Sequence, residues 1–223
     1  MDPNIDLNGG QLRGADLQDA DLTGANLNNA NLYNANLATA NLAGANLTDA
    51  NLTLANLTGV NLTSANLAGA NLAGANLYNA NLTQANLAWA GLTHATLALA
   101  NLTGVNLTSA GLSGANLTHA TLDGANLSGA FLDLAVLAGA SVPGAVFVDC
   151  KWQETVIANI NLRTLGEFNI GEHVNPSSVG LDTLYLTAGD APLSAMPEPY
   201  RGFFIACGVN PELFEAKQVG GVG

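Results

Sequence analysis

Leucine recurs at every fifth position from Leu7 to Leu137, twenty-seven times without a break. Beyond that point the register carries Val142, Phe147, Trp152, Ile157 and Leu162. Two residues before nearly all of these stands a small residue, mostly Ala, as at Ala15, Ala20 and Ala25. Val60, Val105 and Cys150 are its larger variants. The residue between is usually Asn or Asp. The unit is therefore Ala-Asn/Asp-Leu-x-x.

A period of five fits neither regular element. On an α-helix, five residues turn by about 500°, which leaves each Leu about 140° from the last and forms no apolar face. On a continuous strand, five is odd, so successive leucines alternate between faces. One bend per repeat instead points every Leu at a common axis. Ala, two residues earlier, points the same way, and its small size keeps the bore narrow. The chain then coils into a solenoid, each coil stacked on the one before. Gly is frequent at the second x position (Gly24, Gly44, Gly59, Gly69, Gly74), where a tight corner favours it.

Charge is scarce and unevenly placed. Charged residues are 10% of the 223, against about a quarter in ordinary domains. The net charge is −12. Residues 22–150 hold only Asp49, Asp123, Asp133 and Asp149, with no Lys or Arg. A nearly neutral rod thus lies between two charged ends. Without a cationic patch it cannot neutralise phosphates, which excludes nucleic acid as a partner. Solubility must come from outward Asn, Thr, Ser and Gly, whose side chains can hydrogen-bond along the rod and to water.

The first ten residues, "MDPNIDLNGG", have no basic segment or apolar run, so no secretory signal is expected. No stretch nears eighteen continuous apolar residues, so no membrane span or membrane partner is expected. The Asn-x-Ser/Thr triplets between Asn46 and Asn126 read as a by-product of the repeat rather than as glycosylation acceptors. The setting expected is the cytoplasm of a bacterium. Cys150 and Cys207 have the spacing of neither a metal site nor a disulfide framework.

The pattern loosens from about Phe131. Phe147 and Trp152 enter the Leu register, and Ile160 and Leu165 enter the Ala register, so the bore must widen or distort there. Residues 166–223 are of another kind. "NPSSVG" reads as a loop, and a short helix is expected around Gly180–Ala188. "MPEPYRGFFIACGVN" reads as a helix with Pro near its start, ended by Gly208. "NPELFEAKQVGG" has Asn210 as N-cap and Pro211 at the first helical position. Helices this short are marginal alone. They are expected to cover the last coil, whose strand edges are otherwise open. The expected division is a solenoid over 1–165 and a mostly helical capping or interaction segment over 166–223.

Little in the chain suggests chemistry. His94 and His119 are twenty-five residues apart and should lie on different faces, and His173 reads as a loop residue beside Glu172. No nucleophile elbow, phosphate loop or zinc-helix motif occurs. No catalytic residue, cofactor or metal is expected. Leu54, Trp89, Leu99 and Leu134 are apolar at an outward position. Trp89 is the candidate anchor for a partner on the rod. Tyr200, Phe203, Phe204 and Phe214 are candidates in the tail, either as capping contacts or as a homodimer or partner interface. The rod ends are the other candidate homodimer surface. Thr63, Thr83 and Thr103 form a column beside Asn61, Asn81 and Asn101, a regular array that an ice lattice could match, but Ala43 and Asp123 interrupt it.

Over residues 5–165 the sequence resembles the pentapeptide-repeat family, whose Ala-Asp/Asn-Leu-x-x pattern it follows almost without interruption. The resemblance implies an all-β solenoid: a right-handed quadrilateral β-helix with four repeats per coil and about eight coils, here with a small helical C-terminal cap. At about 4.8 Å per stacked strand the rod would be about 38 Å long. Some members of the family mimic duplex DNA and bind a type II topoisomerase, which needs acids along the rod. Here the acids sit at the ends. The regular Ala-Asn-Leu form is more like the cyanobacterial and effector-linked members. The tail element Cys207–Phe214, "CGVNPELF", also resembles a segment that precedes effector domains in some bacterial proteins. The expected function is a non-enzymatic scaffold for an unidentified protein partner. A gyrase modulator and the targeting portion of a larger effector are the alternatives.

Overall fold

The structure, a computed structural model, describes residues 5–168, 178–179, 195–198, 200–207, 209 and 211–215. Parallel bridges join each Asn-position residue to the one twenty residues on. They run from Asp6–Asn26 to Val136–Val156. The chain thus returns beside itself after every four repeats, and residues twenty apart form columns along the rod.

One repeat, Asn61 to Ala65, shows why these residue types recur. The Asn61 N–H donates back to the Ala40 carbonyl at 3.0 Å. The Leu62 and Ser64 N–H groups donate forward to Asn81 at 2.7 Å and Thr83 at 2.9 Å. Ala65 N–H closes a turn onto Leu62 at 3.0 Å. The fifth donor, Thr63 N–H, is taken by the Asn61 side-chain Oδ1 at 3.1 Å. Every backbone donor of the repeat is therefore satisfied, and the last one needs Asn or Asp at that position. The turn places the residue before each Ala at positive φ, 56° at Ser64 and 67° at Gly24. This explains the corner glycines, and it also means that many non-glycine residues hold a left-handed backbone.

From Leu22 to Ala145 both inward positions are buried in every repeat. Each buried Leu contributes about 1.5–3 kcal/mol of transfer free energy. At the N-terminal end Leu7, Leu12, Leu17 and Ala20 are only partly covered.

The register changes near the C-terminal end. β1 (Val146–Phe147) pairs in parallel with β3 (Glu167–Phe168), and β2 (Val156–Ile157) with β4 (Ser178–Val179). Val146 faces Glu167 and Val156 faces Ser178, so the twenty-residue return has lengthened. A 3-10 turn at Leu162–Thr164, capped by Asn161 Oδ1 on Arg163 N–H at 3.1 Å, replaces the repeat's corner. Strand pairing therefore runs past Leu165, and Ser178–Val179 is a strand where the sequence reads as a loop. Beyond lie α1 (Tyr200–Ala206) and a 3-10 turn, Pro211–Phe214. The helix expected around Gly180–Ala188, Glu172–His173, Gly208 and the Asn210 cap fall outside the described residues.

Candidate interaction surfaces

The outer surface is organised by the Asn side chains. After capping its own repeat, an Asn points its Nδ2 at the preceding coil. Asn61 Nδ2 donates to Asn41 Oδ1 at 2.8 Å, and Asn56, Asn86 and Asn106 do the same to Asn36, Asn66 and Asn86 at 3.0 Å. Where Thr occupies the first x position, its hydroxyl joins in. Thr63 Oγ1 donates to Asn61 Oδ1 at 2.7 Å and accepts from Asn81 Nδ2 at 3.0 Å. The Thr63, Thr83 and Thr103 hydroxyls all donate to Asn neighbours and so belong to this network. The first coil ends the ladder with Asp: Asn26 Nδ2 donates to Asp6 at 3.0 Å and Asn36 Nδ2 to Asp16 at 2.9 Å.

The corners hold the exceptions. Trp89 sits at φ 63° with 71% of its surface exposed. Leu54, Leu99 and Leu134 occupy equivalent left-handed corners and are also exposed. Register places Leu54 and Leu134 in one column and Leu99 in the next. The face between these columns also carries exposed Tyr78, whereas Trp89 stands on a different corner. The sequence gives no sign of this grouping until the coil length is known. His94 and His119 are corner residues too, and each ring covers a glycine one coil on, Gly114 and Gly139. They do not meet at a shared site. Among the described residues no group of three or more His, Cys, Asp or Glu could hold a metal ion.

The tail candidates have a different fate. Phe203, Phe204 and Phe214 are buried, and Tyr200 is partly so. A chain of rings leads out of the bore. Phe147 lies 5.4 Å from Trp152, Trp152 5.5 Å from Phe203, Phe203 5.8 Å from Phe204, and Phe204 6.5 Å from Phe214. The Arg201 guanidinium stands over Phe214 at 5.8 Å. As placed, these three phenylalanines present almost no surface to a partner, because α1 turns Phe203 onto Trp152 and Phe204, and the Pro211–Phe214 turn brings Phe214 onto Phe204.

Where the bore widens, Leu137, Val142, Phe147, Trp152, Ile157, Ile160, Leu162 and Leu165 line a cavity of about 10 Å³ with no polar wall. It has room for roughly one water and nothing to hold it. Burial pushes the Cys150 thiol up to about 12. The thiol donates to the Leu127 carbonyl at 3.1 Å, so it is a packed side chain and no nucleophile. No helix among the described residues is long and apolar enough to cross a membrane.

A sequence-family profile described as pentapeptide repeats matches residues 4–38, 55–93, 85–124 and 115–151, in eight copies. The chain belongs to this family. Solved relatives include HetL, a pentapeptide-repeat protein involved in heterocyst differentiation regulation from the cyanobacterium Nostoc sp. strain PCC 7120. It is 37% identical, over 65% of this chain and 73% of that one, with a TM-score of 0.36. Rfr23 from the cyanobacterium Cyanothece 51142 is 36% identical over 40% of this chain and 62% of its own, with a TM-score of 0.40. QnrB1, a plasmid-mediated fluoroquinolone resistance protein, is 19% identical over 82% and 90%, with a TM-score of 0.46. No curated protein matches the chain. This pentapeptide-repeat protein is thus a β-solenoid repeat protein by its own bridges and by its repeat match.

Proposed function

We propose that the protein is a non-enzymatic interaction scaffold of the bacterial cytoplasm. Its rod is taken as a right-handed quadrilateral β-helix of about eight coils over residues 1–165, with 166–223 as a mostly helical cap. The ring contact of Trp152 with Phe203 supports the cap reading. Trp89 carries the functional reading. A bulky residue is disfavoured in the left-handed region, where Gly or Asn sits at less cost. Yet Trp89 holds that backbone with most of its ring in water. Nothing in the fold requires a Trp there, so its use is outward, against an apolar pocket on a protein partner. The neutral faces beside it fit a partner whose binding depends little on salt.

The test is comparative capture from the source organism. Full-length protein and a Trp89→Gly variant are cross-linked to lysate proteins, and the captured sets are compared. The reading expects a discrete protein lost with Trp89→Gly and retained in moderate salt. Identical captured sets would defeat it. Unchanged gyrase supercoiling at stoichiometric protein is expected as well, because residues 22–150 carry only four acids; inhibition at that ratio would favour topoisomerase modulation instead.

A further inference from the structure

We infer that the N-terminal edge of the rod is a self-complementary pairing edge for a second copy of this chain, held open by the carboxylates of Asp6, Asp16 and Asp21. Each Asn-position residue turns both its backbone groups toward the preceding coil. Asn26 N–H donates to the Ile5 carbonyl at 2.9 Å, and the Asn26 carbonyl accepts from Leu7 N–H at 2.7 Å. The same holds at Asn31, whose N–H meets Gly10 at 2.8 Å and whose carbonyl meets Leu12 N–H at 2.8 Å. Among the described residues nothing stacks before the first coil. Among the described residues the N–H groups of Asp6, Gln11, Asp16 and Asp21 find no acceptor. Beneath them Leu7, Leu12 and Leu17 remain partly exposed.

A residue that presents N–H and carbonyl on one side is half of an antiparallel hydrogen-bonded pair, in which two residues exchange both bonds. Four such residues, one per repeat, form an edge that matches itself under a two-fold axis. The occupant follows from the bends. This edge turns at every fifth residue, so a straight strand can pair with it at one repeat only. A coil of the same period can follow all four. Among the described residues the opposite end does not keep the regular period of this edge, since Val146 faces Glu167 and Val156 faces Ser178. Copies would therefore meet head to head.

Charge opposes this meeting. In whichever register two such edges meet, at least one pair of carboxylates comes into direct opposition, and like charges directly opposed across strands are destabilising. Asp19 adds a further negative charge to the first coil. Its cation, Arg13, lies over the Tyr33 ring of the second coil at 4.4 Å, and residues 25–44 carry no charge. Asp is also tolerated here for a structural reason: the ladder asks nothing of the first coil except acceptors, and Asp6 and Asp16 accept from Asn26 and Asn36.

The full chain with Asp6→Asn, Asp16→Asn and Asp21→Asn tests the inference. Asn stands at the matching position of the next coils (Asn26, Asn36, Asn41), so the fold accepts it. Size-exclusion chromatography with light scattering at neutral pH should show twice the mass of the parent. Adding Gln11→Pro, which removes one edge N–H that the fold does not use, should return the mass to the parental value. An unchanged mass in the triple variant, or a gain that Gln11→Pro leaves in place, overturns the proposal. Unchanged circular dichroism in both variants establishes that the coil itself is intact.

Discussion

The side chain of Asn61 donates to that of Asn41 from one coil further along the rod, at 2.8 Å, while its own Oδ1 caps Thr63 N–H at 3.1 Å. One residue thus serves its own repeat as an acceptor and the preceding coil as a donor. Asp can do the first but not the second. This is why Asn fills the middle of the rod and Asp its first coil.

The substitution Asn61→Asp should therefore destabilise the protein by about 1–2 kcal/mol, because a carboxylate then faces the Asn41 oxygen in place of a donor. Asn61→Ala, which loses both bonds, should cost a similar amount. Asp16→Asn, at dilute concentration, should stay within about 0.5 kcal/mol. Chemical denaturation of the three variants measures this. A cost for Asp16→Asn as large as that for Asn61→Asp would contradict the directional ladder.

Leu72 is fully buried in the Leu column, and Leu72→Ala should cost about 2–5 kcal/mol. From the outward position alone, Thr63→Ala would be expected to cost about 0.5 kcal/mol or less. The hydroxyl bridges Asn61 and Asn81, however, so about 0.5–1.5 kcal/mol is expected instead. Equal costs at Leu72 and Thr63 in reversible unfolding would refute the inward and outward assignment.

The difference at Thr63 marks what the sequence could tell. The five-residue period alone places Leu72 inside and Thr63 outside. It does not say that Asn81 is the neighbour of Thr63, because that depends on how many repeats close a coil. The coil length came through the family resemblance, and only then do Leu54, Tyr78, Leu99 and Leu134 gather beside one face. The register change after Asn161 rests on a local 3-10 turn that the pattern "NLRTL" does not advertise. Nor does the tail's sequence choose which side of α1 meets Trp152. Apolar residues occupy several sides of so short a helix, and packing decides between them.

The corners offer a third test. Gly114 holds φ 67°, and a Cβ there would collide with the His94 ring. Gly114→Ala should cost about 1 kcal/mol from the left-handed backbone alone, plus the displacement of His94. In a His94→Gly background the cost should fall to the backbone share. A double-mutant cycle reads the difference as a coupling energy. A coupling indistinguishable from zero would mean that the ring moves aside freely.

Asp21 provides a pH test. The Thr23 hydroxyl, at 2.7 Å, and then the Thr23 N–H hold its carboxyl below the ordinary carboxylate range. A depressed folded-state pKa means a contribution present above the unfolded value and lost as pH falls through the folded value. Asp21 is fully exposed, so the effect belongs in a titration rather than in stability. Carboxyl NMR should find Asp21 titrating low. Thr23→Val should shift it upward while keeping the backbone bond. No shift in Thr23→Val would remove the hydroxyl as the main cause.

The ring chain at the C-terminal end makes the last prediction. Phe203 is fully buried, with Trp152 at 5.5 Å on one side and Phe204 at 5.8 Å on the other. Phe203→Ala should cost about 3–5 kcal/mol locally. In a solenoid each coil contacts mainly its neighbours, so stability is nearly a sum of local terms and damage stays near its source. The loss should therefore appear as faster amide exchange at Val156, whose N–H donates to Ala135 at 2.8 Å, and at Gly166, which donates to Ala145 at 2.8 Å. Amides around Leu72 should be unaffected. If α1 instead contributes nothing to the rod, exchange at Val156 and Gly166 will match the parent while only the tail's own amides speed up. A uniform acceleration reaching Leu72 would show that the rod unfolds as one unit, which the stacked geometry does not predict. Hydrogen exchange with mass spectrometry, comparing peptides around residues 60–80 and 145–166, separates the three outcomes.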